Sequence, residues 1–187
     1  MNKTLKLLII SDIFVFSGFG LIGPILSIFI NDHLVGGSIT AAGLASAIFI
    51  ITHAVLQIIF AKIFNPKDRR WMLIVGTFLT ILIPFGYIFL TNINQMYLVQ
   101  FIHGLGASFA YPSWYSLFTS NLEKGKRGLQ WSIYSSMVGV GTALTAYAGA
   151  WLAEITSFQL VFGLAGAMGV IGLLSIFFID KKAARKV

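Results

Sequence analysis

The sequence predicts an all-α membrane protein of six transmembrane helices, built as an inverted three-plus-three repeat, and three observations carry that prediction. The 187 residues are 57% hydrophobic and 10% charged, against about 45–50% and 25% in soluble domains. The apolar residues gather into six runs, each near the roughly 20 residues that a bilayer-spanning helix needs. All 13 basic residues fall in alternate breaks between those runs. The runs consume nearly the whole of 1–187 as a single bundle, which leaves no room for a water-soluble catalytic domain. With no cysteine, disulfides, thiolate metal sites and thiol catalysis are excluded as well.

Taken in order, the spans fall at about 7–30, 41–64, 72–91, 96–120, 129–153 and 158–179. The first follows Met1-Asn2-Lys3 but is too long for the apolar region of a secretory signal. It also contains Asp12 and lacks a small-residue cleavage site, so it is a true span. Lys3 and Lys6 precede it. Lys62, Lys67, Arg69 and Arg70 separate spans 2 and 3, and Lys124, Lys126 and Arg127 separate spans 4 and 5. Lys181, Lys182, Arg185 and Lys186 follow span 6, while the breaks at 31–39, 91–95 and 154–157 hold no Lys or Arg. By the positive-inside rule both termini are cytoplasmic in a multi-pass cell-membrane protein, which an even span count requires. The net charge of +7 therefore marks orientation and contact with the lipid bilayer rather than nucleic acid.

The repeat is suggested by Gly18, Gly20 and Pro24 in span 1 and Gly104, Gly106 and Pro112 in span 4, two mid-span sets about 86 residues apart. Three spans separate them, so the second copy crosses in the opposite direction, as in many secondary transporters.

Local motifs then carry a family resemblance. The stretch Gly18-Phe-Gly-Leu-Ile-Gly-Pro24 resembles the first helix of major facilitator superfamily transporters. Ala61-Lys-Ile-Phe-Asn65-Pro-Lys-Asp68-Arg69-Arg70 occupies the place of that family's signature between helices 2 and 3. There Ala61 and Asp68 stand for glycines, Asn65 for the acid and Pro66 for a basic residue, so only Arg69 and Arg70 survive. Gln100-Phe-Ile-His103-Gly104-Leu-Gly106 resembles the family's span-4 segment, with Gln100 in place of arginine. Glu123-Lys-Gly-Lys-Arg127-Gly128 and Ser157-Phe-Gln-Leu-Val-Phe162 resemble the 4–5 loop and the entry to helix 6. The resemblance covers essentially the whole chain, as the N-terminal six-helix half of a twelve-helix member.

That resemblance implies a secondary active transporter of half size, working as a homodimer with a two-fold axis along the membrane normal. Alternating access would move a small organic solute, with a proton gradient and no cofactor. Small residues in span 5 (Ser135, Gly139, Thr142, Ala143, Ala146, Gly149 and Ala150) and in span 2 (Ala42, Ala45 and Ser46) suit either the dimer seam or packing within the chain.

Polar groups at membrane depth supply the site. Asp12 lies about eight residues into a helix starting near Thr4, roughly 12 Å from its start. An ionisable group there is a functional candidate by default and, by resemblance, the coupling acid; the other reading pairs it with Lys3 or Lys6. Gln100, His103, Ala107, Tyr111 and Trp114, with Tyr115 adjacent, share one face of span 4. Hydrogen-bonding groups followed by aromatics suit a wall that binds an organic, cationic solute. His103 is either a proton shuttle or a packing histidine. His53 and Gln57, four apart in span 2, line the path, or the dimer seam, or bond between helices. Span 5 adds Gln130, Tyr134 and Thr145. Asn65, Arg69 and Arg70 form a cytoplasmic gate or simply a topology signal, and Asn65 in place of the acid implies a looser lock. Span 5 also lacks the Gly-Pro element of many antiporters near Thr145-Ala146.

An enzyme is not expected. Ser108 is followed by Phe109 and no histidine follows His103, which excludes a rhomboid-type protease; the six acids are scattered. His33, His53 and His103 lie in different segments, away from any metal cluster. The alternatives to a transporter are a non-transporting membrane adaptor and a substrate-binding subunit of a larger transporter.

Overall fold

In the computed structural model, residues 1–64 and 70–180 are described, and they form seven α-helices and no strand. The helices are α1 (Lys3–Ile22), α2 (Leu26–His33), α3 (Ile39–Ile63), α4 (Arg70–Tyr87), α5 (Ile93–Ser120), α6 (Arg127–Ile155) and α7 (Phe158–Phe177). Four of them begin at a side-chain cap: Asn2, Ser38, Asn92 and Ser157 each accept a hydrogen bond from a backbone N–H three residues on. At Asn92 the Gln95 side chain returns the bond and completes a capping box. Such caps satisfy amide groups that the first helical turn leaves orphaned.

The expected first span is broken. Pro24 has no N–H to offer, α1 stops at Ile22, and a turn over residues 23–25 leads into the eight-residue α2. The other expected spans match α3 to α7 within a few residues. By length and apolarity α1, α3, α4 and α7 are long and greasy enough to cross a membrane. The 28-residue α5 and 29-residue α6 are longer still but more polar.

Packing follows a regular scheme. Helix α1 packs on α6 and α7, α5 packs on α3 and α4, and α4 meets α7, whereas α1 and α5 scarcely touch. Glycine makes the close seams possible. A Cβ at Gly149 would strike the Leu21 backbone, and one at Gly76 would strike the backbones of Gly106 and Ala110. At Gly18 it would stand 2.7 Å from the Ala165 carbonyl oxygen, and at Gly104 2.6 Å from Thr52 Cβ.

Two apolar clusters fill the two ends of the bundle. One joins Leu21, Ile30, Ala45, Tyr87, Met96 and Phe162; the other joins Leu5, Leu8, Leu73, Phe118, Leu173 and Ile176. At the first end Val35 and Ile93 donate backbone bonds to Thr91 and Val35, both at 3.0 Å, and Phe158 rests on Phe29 and His33. At the second end the Asn2 amide donates to Asn121 at 2.9 Å, and the Arg70 guanidinium donates to the Phe177 carbonyl. The segments rich in Lys and Arg among the described residues thus gather at one end, and the segments without them at the other.

Candidate functional site

The sparse contact between α1 and α5 leaves a cavity of about 260 Å³. Its α1 wall is Asp12, Val15, Phe16 and Phe19; its α5 wall is His103, Ala107, Ala110, Tyr111 and Trp114. Helix α4 supplies Leu73, Thr77 and Thr80, and α3 contributes Phe49. The lining is mostly apolar and aromatic with a few polar groups, the usual make-up of a small-molecule site.

Asp12 anchors it. The Tyr134 hydroxyl on α6 donates to Asp12 Oδ2 at 2.8 Å, so the carboxylate is oriented across the α1–α6 seam. Neither Lys3 nor Lys6 lies within ion-pair distance of Asp12 among the described residues, which removes the interfacial pairing that the sequence left open. Tyr134 is fixed in turn by an aromatic nest, its ring 4.9 Å from Trp114, 5.0 Å from Phe118 and 5.7 Å from Trp131. Trp114 is 3% exposed and its Nε1 is buried without a hydrogen-bond partner, as is Thr80 Oγ1.

His103 stands at the other end of the cavity, between Phe19 at 4.8 Å and Phe49 at 4.2 Å, both stacked on its ring. Beyond Phe49, His53 sits 4.9 Å from the Tyr111 ring, and its Nε2 is buried without a partner. Tyr111 and Tyr115 stack at 6.0 Å, but Tyr115 is 48% exposed and stands outside the lining.

The expected stripe on α5 therefore divides. His103, Ala107, Tyr111 and Trp114 face the cavity, whereas Gln100, buried beside Tyr87, does not. Gln100 shares the face of Ala107 and Tyr111 but lies about one turn before His103, at the level of Tyr87 and beyond the end of the cavity lining. Gln57 on α3 is partly exposed and lines no part of the cavity. Gln130 is buried outside it, its side chain accepting from the Glu123 backbone N–H at 2.9 Å. The Thr145 hydroxyl bonds back to the Gly141 carbonyl of its own helix at 2.9 Å. Of the expected gate, Asn65 and Arg69 lie outside the described residues, and Arg70 ties the start of α4 to the end of α7.

Sequence reasoning missed the α4 wall. Leu73, Thr77 and Thr80 recur at helical spacing and share one face. That signal was present, but threonine in an apolar span satisfies itself on its own backbone so readily that nothing marked these two. Phe16, Phe19 and Phe49 were hidden among the 17 phenylalanines of the chain.

Outside the apolar region, Glu123 accepts the Met1 ammonium at 2.5 Å and has Lys126 at 3.9 Å. Its carboxyl is held below the ordinary carboxylate range, first by the hydrogen bond from that ammonium and then by its charge. Among the described residues no three His, Cys, Asp or Glu side chains gather where they could hold a metal.

The family model described as Major Facilitator Superfamily matches residues 8–187. The chain is 23% identical over 174 residues to the quinolone resistance protein NorA of Staphylococcus aureus, covering 93% of this chain and 44% of NorA. It is 29% identical over 165 residues to the multi-drug resistance efflux pump PmrA of Streptococcus pneumoniae, covering 86% of this chain and 41% of PmrA. The crystal structure of the POT family transporter PepTSo superimposes with a TM-score of 0.73 at 14% identity, over 95% of this chain and 37% of PepTSo. That last likeness is one of fold. The chain spans less than half the length of each of these proteins.

Proposed function

The chain belongs to the Major Facilitator Superfamily, and from that premise we propose that it forms a six-helix body of a proton-coupled secondary transporter that expels a small organic solute. The observation that carries the proposal is Asp12, a carboxylate at membrane depth, oriented by Tyr134 on the wall of an aromatic cavity. An ionisable group so placed is costly and therefore marks a functional site. In this mechanism Asp12 binds a proton from one side and releases it to the other as the cavity changes the side to which it opens. The solute occupies the same cavity against Tyr111 and Trp114. The similarity to two proteins named for drug resistance and efflux supports the outward direction.

The proposal includes six membrane crossings, α1 with α2 counting as one, with both termini in the cytoplasm. The sorting of the breaks into two ends of the bundle supports it, since every crossing then leads from one end to the other. It also includes the inverted repeat. Gly18 meets α7 where Gly106 meets α4, and Gly20 meets α6 where Ser108 meets α3. These pairs, and Pro24 with Pro112, are each 88 residues apart, which shifts by two the register suggested by the glycines alone.

In this reading two copies complete the path, related by a two-fold axis along the membrane normal. Helices α3 and α6 flank the cavity and are the least covered: only Ala41, Ala42 and Ala45 of α3 and Gln130 and Gly149 of α6 are buried. A second copy over those faces would close the mouth of the cavity and shield its polar wall from lipid.

The test is transport by the purified chain in liposomes bearing a pH gradient, with a panel of fluorescent lipophilic cations as solutes. Accumulation that collapses with the gradient is expected. Absence of transport for every solute, together with a tightly bound partner protein, would favour an adaptor instead. Cross-linking in native membranes reads the pairing, and finding only monomers would remove the homodimer.

A further inference from the structure

Helices α5 and α6 are joined by the short stretch 121–126, yet they scarcely pack on one another. Where α5 ends and α6 begins, a groove of about 400 Å³ is left open. It shares no lining residue with the cavity that holds Asp12. Ser116, Thr119 and Ser120 of α5 and Arg127 and Trp131 of α6 line it, with Leu122 of the turn between them. All but Leu122 can donate a hydrogen bond, and none carries a negative charge. Arg127 has no acidic partner among the described residues: Glu123, the one acid between residues 121 and 131, is engaged by the Met1 ammonium and Lys126. The Trp131 ring is held by Phe118 at 4.7 Å and Tyr134 at 5.7 Å. The Thr119 and Ser120 hydroxyls bond back to the Tyr115 and Leu117 carbonyls at 2.7 and 3.1 Å. The Ser116 side chain makes no hydrogen bond among the described residues, although its carbonyl accepts one from Thr119.

We propose that this groove is a binding site for one phosphate group. A lining made of donors selects an anion whose oxygens only accept. The planar guanidinium matches phosphate with two parallel hydrogen bonds, the indole N–H can only donate, and the hydroxyl hydrogens turn to suit. A carboxylate presents its two oxygens in one plane, whereas a tetrahedral phosphate presents oxygens to both helices at once. Lys124 and Lys126 beside the groove raise the local concentration of anions. The phosphate comes from a lipid headgroup or from a free anion, and the chemistry of capture is the same for both. Once bound, it ties the end of α5 to the start of α6, which the chain itself leaves unpacked. This site does not depend on the transport reading.

The experiment titrates the purified full chain in detergent with two probes. Dioleoylphosphatidylglycerol is followed by native mass spectrometry, with dioleoylglycerol as the control that lacks the phosphate, and inorganic phosphate is followed by calorimetry. Expected is one saturable site per chain for a phosphate-bearing probe and none for dioleoylglycerol. Binding of the lipid alone assigns a headgroup; binding of inorganic phosphate, with or without the lipid, assigns a free anion. Arg127→Gln should weaken the site about tenfold, the worth of one charge-assisted hydrogen bond. Lys124→Gln removes the same charge from the same turn and should change binding by less than about twofold. Arg127→Lys keeps the charge but not the fork and should weaken binding about threefold. Ser116→Ala with Trp131→Phe removes two neutral donors, retains a ring on the Phe118 contact, and should weaken it about threefold as well. The melting temperature of each variant separates lost binding from lost folding. Absence of binding by both phosphate probes, or equal losses in Arg127→Gln and Lys124→Gln, would overturn the proposal, since the turn would then attract anions only through its overall charge.

Discussion

Two kinds of contact hold α1 and α5 in the bundle, and they differ in what fills the space. Along its seams with α6 and α7, α1 is approached so closely that glycine stands at Gly18, Gly20, Gly149 and Gly172. The seams of α5 use Gly76, Gly104 and Gly106 in the same way. Between α1 and α5 the opposite holds. There the backbones stay apart, and Phe16, Phe19, His103, Tyr111 and Trp114 project into the gap. Backbone-to-backbone seams have one geometry and resist rearrangement, because close-packed interiors transmit strain rather than absorb it. A gap bridged by rings can admit a ligand or reopen by rotation of side chains. Rigidity is thus placed along the glycine seams, and adaptability at the ring-lined gap between α1 and α5.

Overpacking a seam breaks the first half of that comparison most strongly. Gly149→Val places a branched side chain against the Leu21 backbone and should cost about 1–3 kcal/mol, read as a lowered circular-dichroism melting temperature and aggregation in detergent. The matched control is Gly139→Ala on the same helix, where a Cβ meets nothing within 4 Å. It should leave stability unchanged or raise it by up to about 1 kcal/mol, since alanine is the better helix former. If both variants melted alike, the seams would not be set by glycine.

Tyr134→Phe sharpens the second half. It removes the bond to Asp12 Oδ2 and nothing of the ring packing, so a stability loss of about 1 kcal/mol is expected. Solute transport should fall through misorientation of the carboxylate, while Tyr115→Phe, on an exposed ring outside the cavity lining, should change neither.

The smallest effect belongs to the end of the bundle. Glu123 is partly exposed, with its carboxyl held below the ordinary range by the Met1 ammonium. A depressed carboxylate contributes stability that is present above its unfolded pKa and lost as pH falls through its folded value. Melting temperature followed from neutral to acid pH should therefore drop slightly less for Glu123→Gln than for the parent. An equal drop would show that this ion pair is without effect at that end, as many exposed pairs are.

The division between seam and gap was only partly legible in the sequence. Hydropathy sufficed for the positions of α3 to α7, because it depends on local composition, whereas the break between α1 and α2 at Pro24 was not foreseen. Gly18, Gly20, Gly104 and Gly106 were visible as a repeated set, but their register depends on which helix each one meets, and that is a property of packing. Asp12 stood out because a charge in an apolar run is costly wherever the run folds. Its partner Tyr134, 122 positions away, was named only within a weak set. Thr77 and Thr80 were invisible for the converse reason: a threonine in an apolar helix signals nothing until a cavity is found beside it. Gln100 shows the same limit in reverse, a polar residue on the correct helix that stands beside Tyr87, beyond the end of the cavity.

The movement of protons by the reconstituted chain on addition of solute tests the role of Asp12 most directly. Liposomes loaded with a pH-sensitive dye and holding a pH gradient should show solute-dependent proton flow with the parent chain. With Asp12→Asn that flow should vanish although the protein remains folded. Undiminished solute-dependent proton flow in Asp12→Asn would contradict the role given to Asp12.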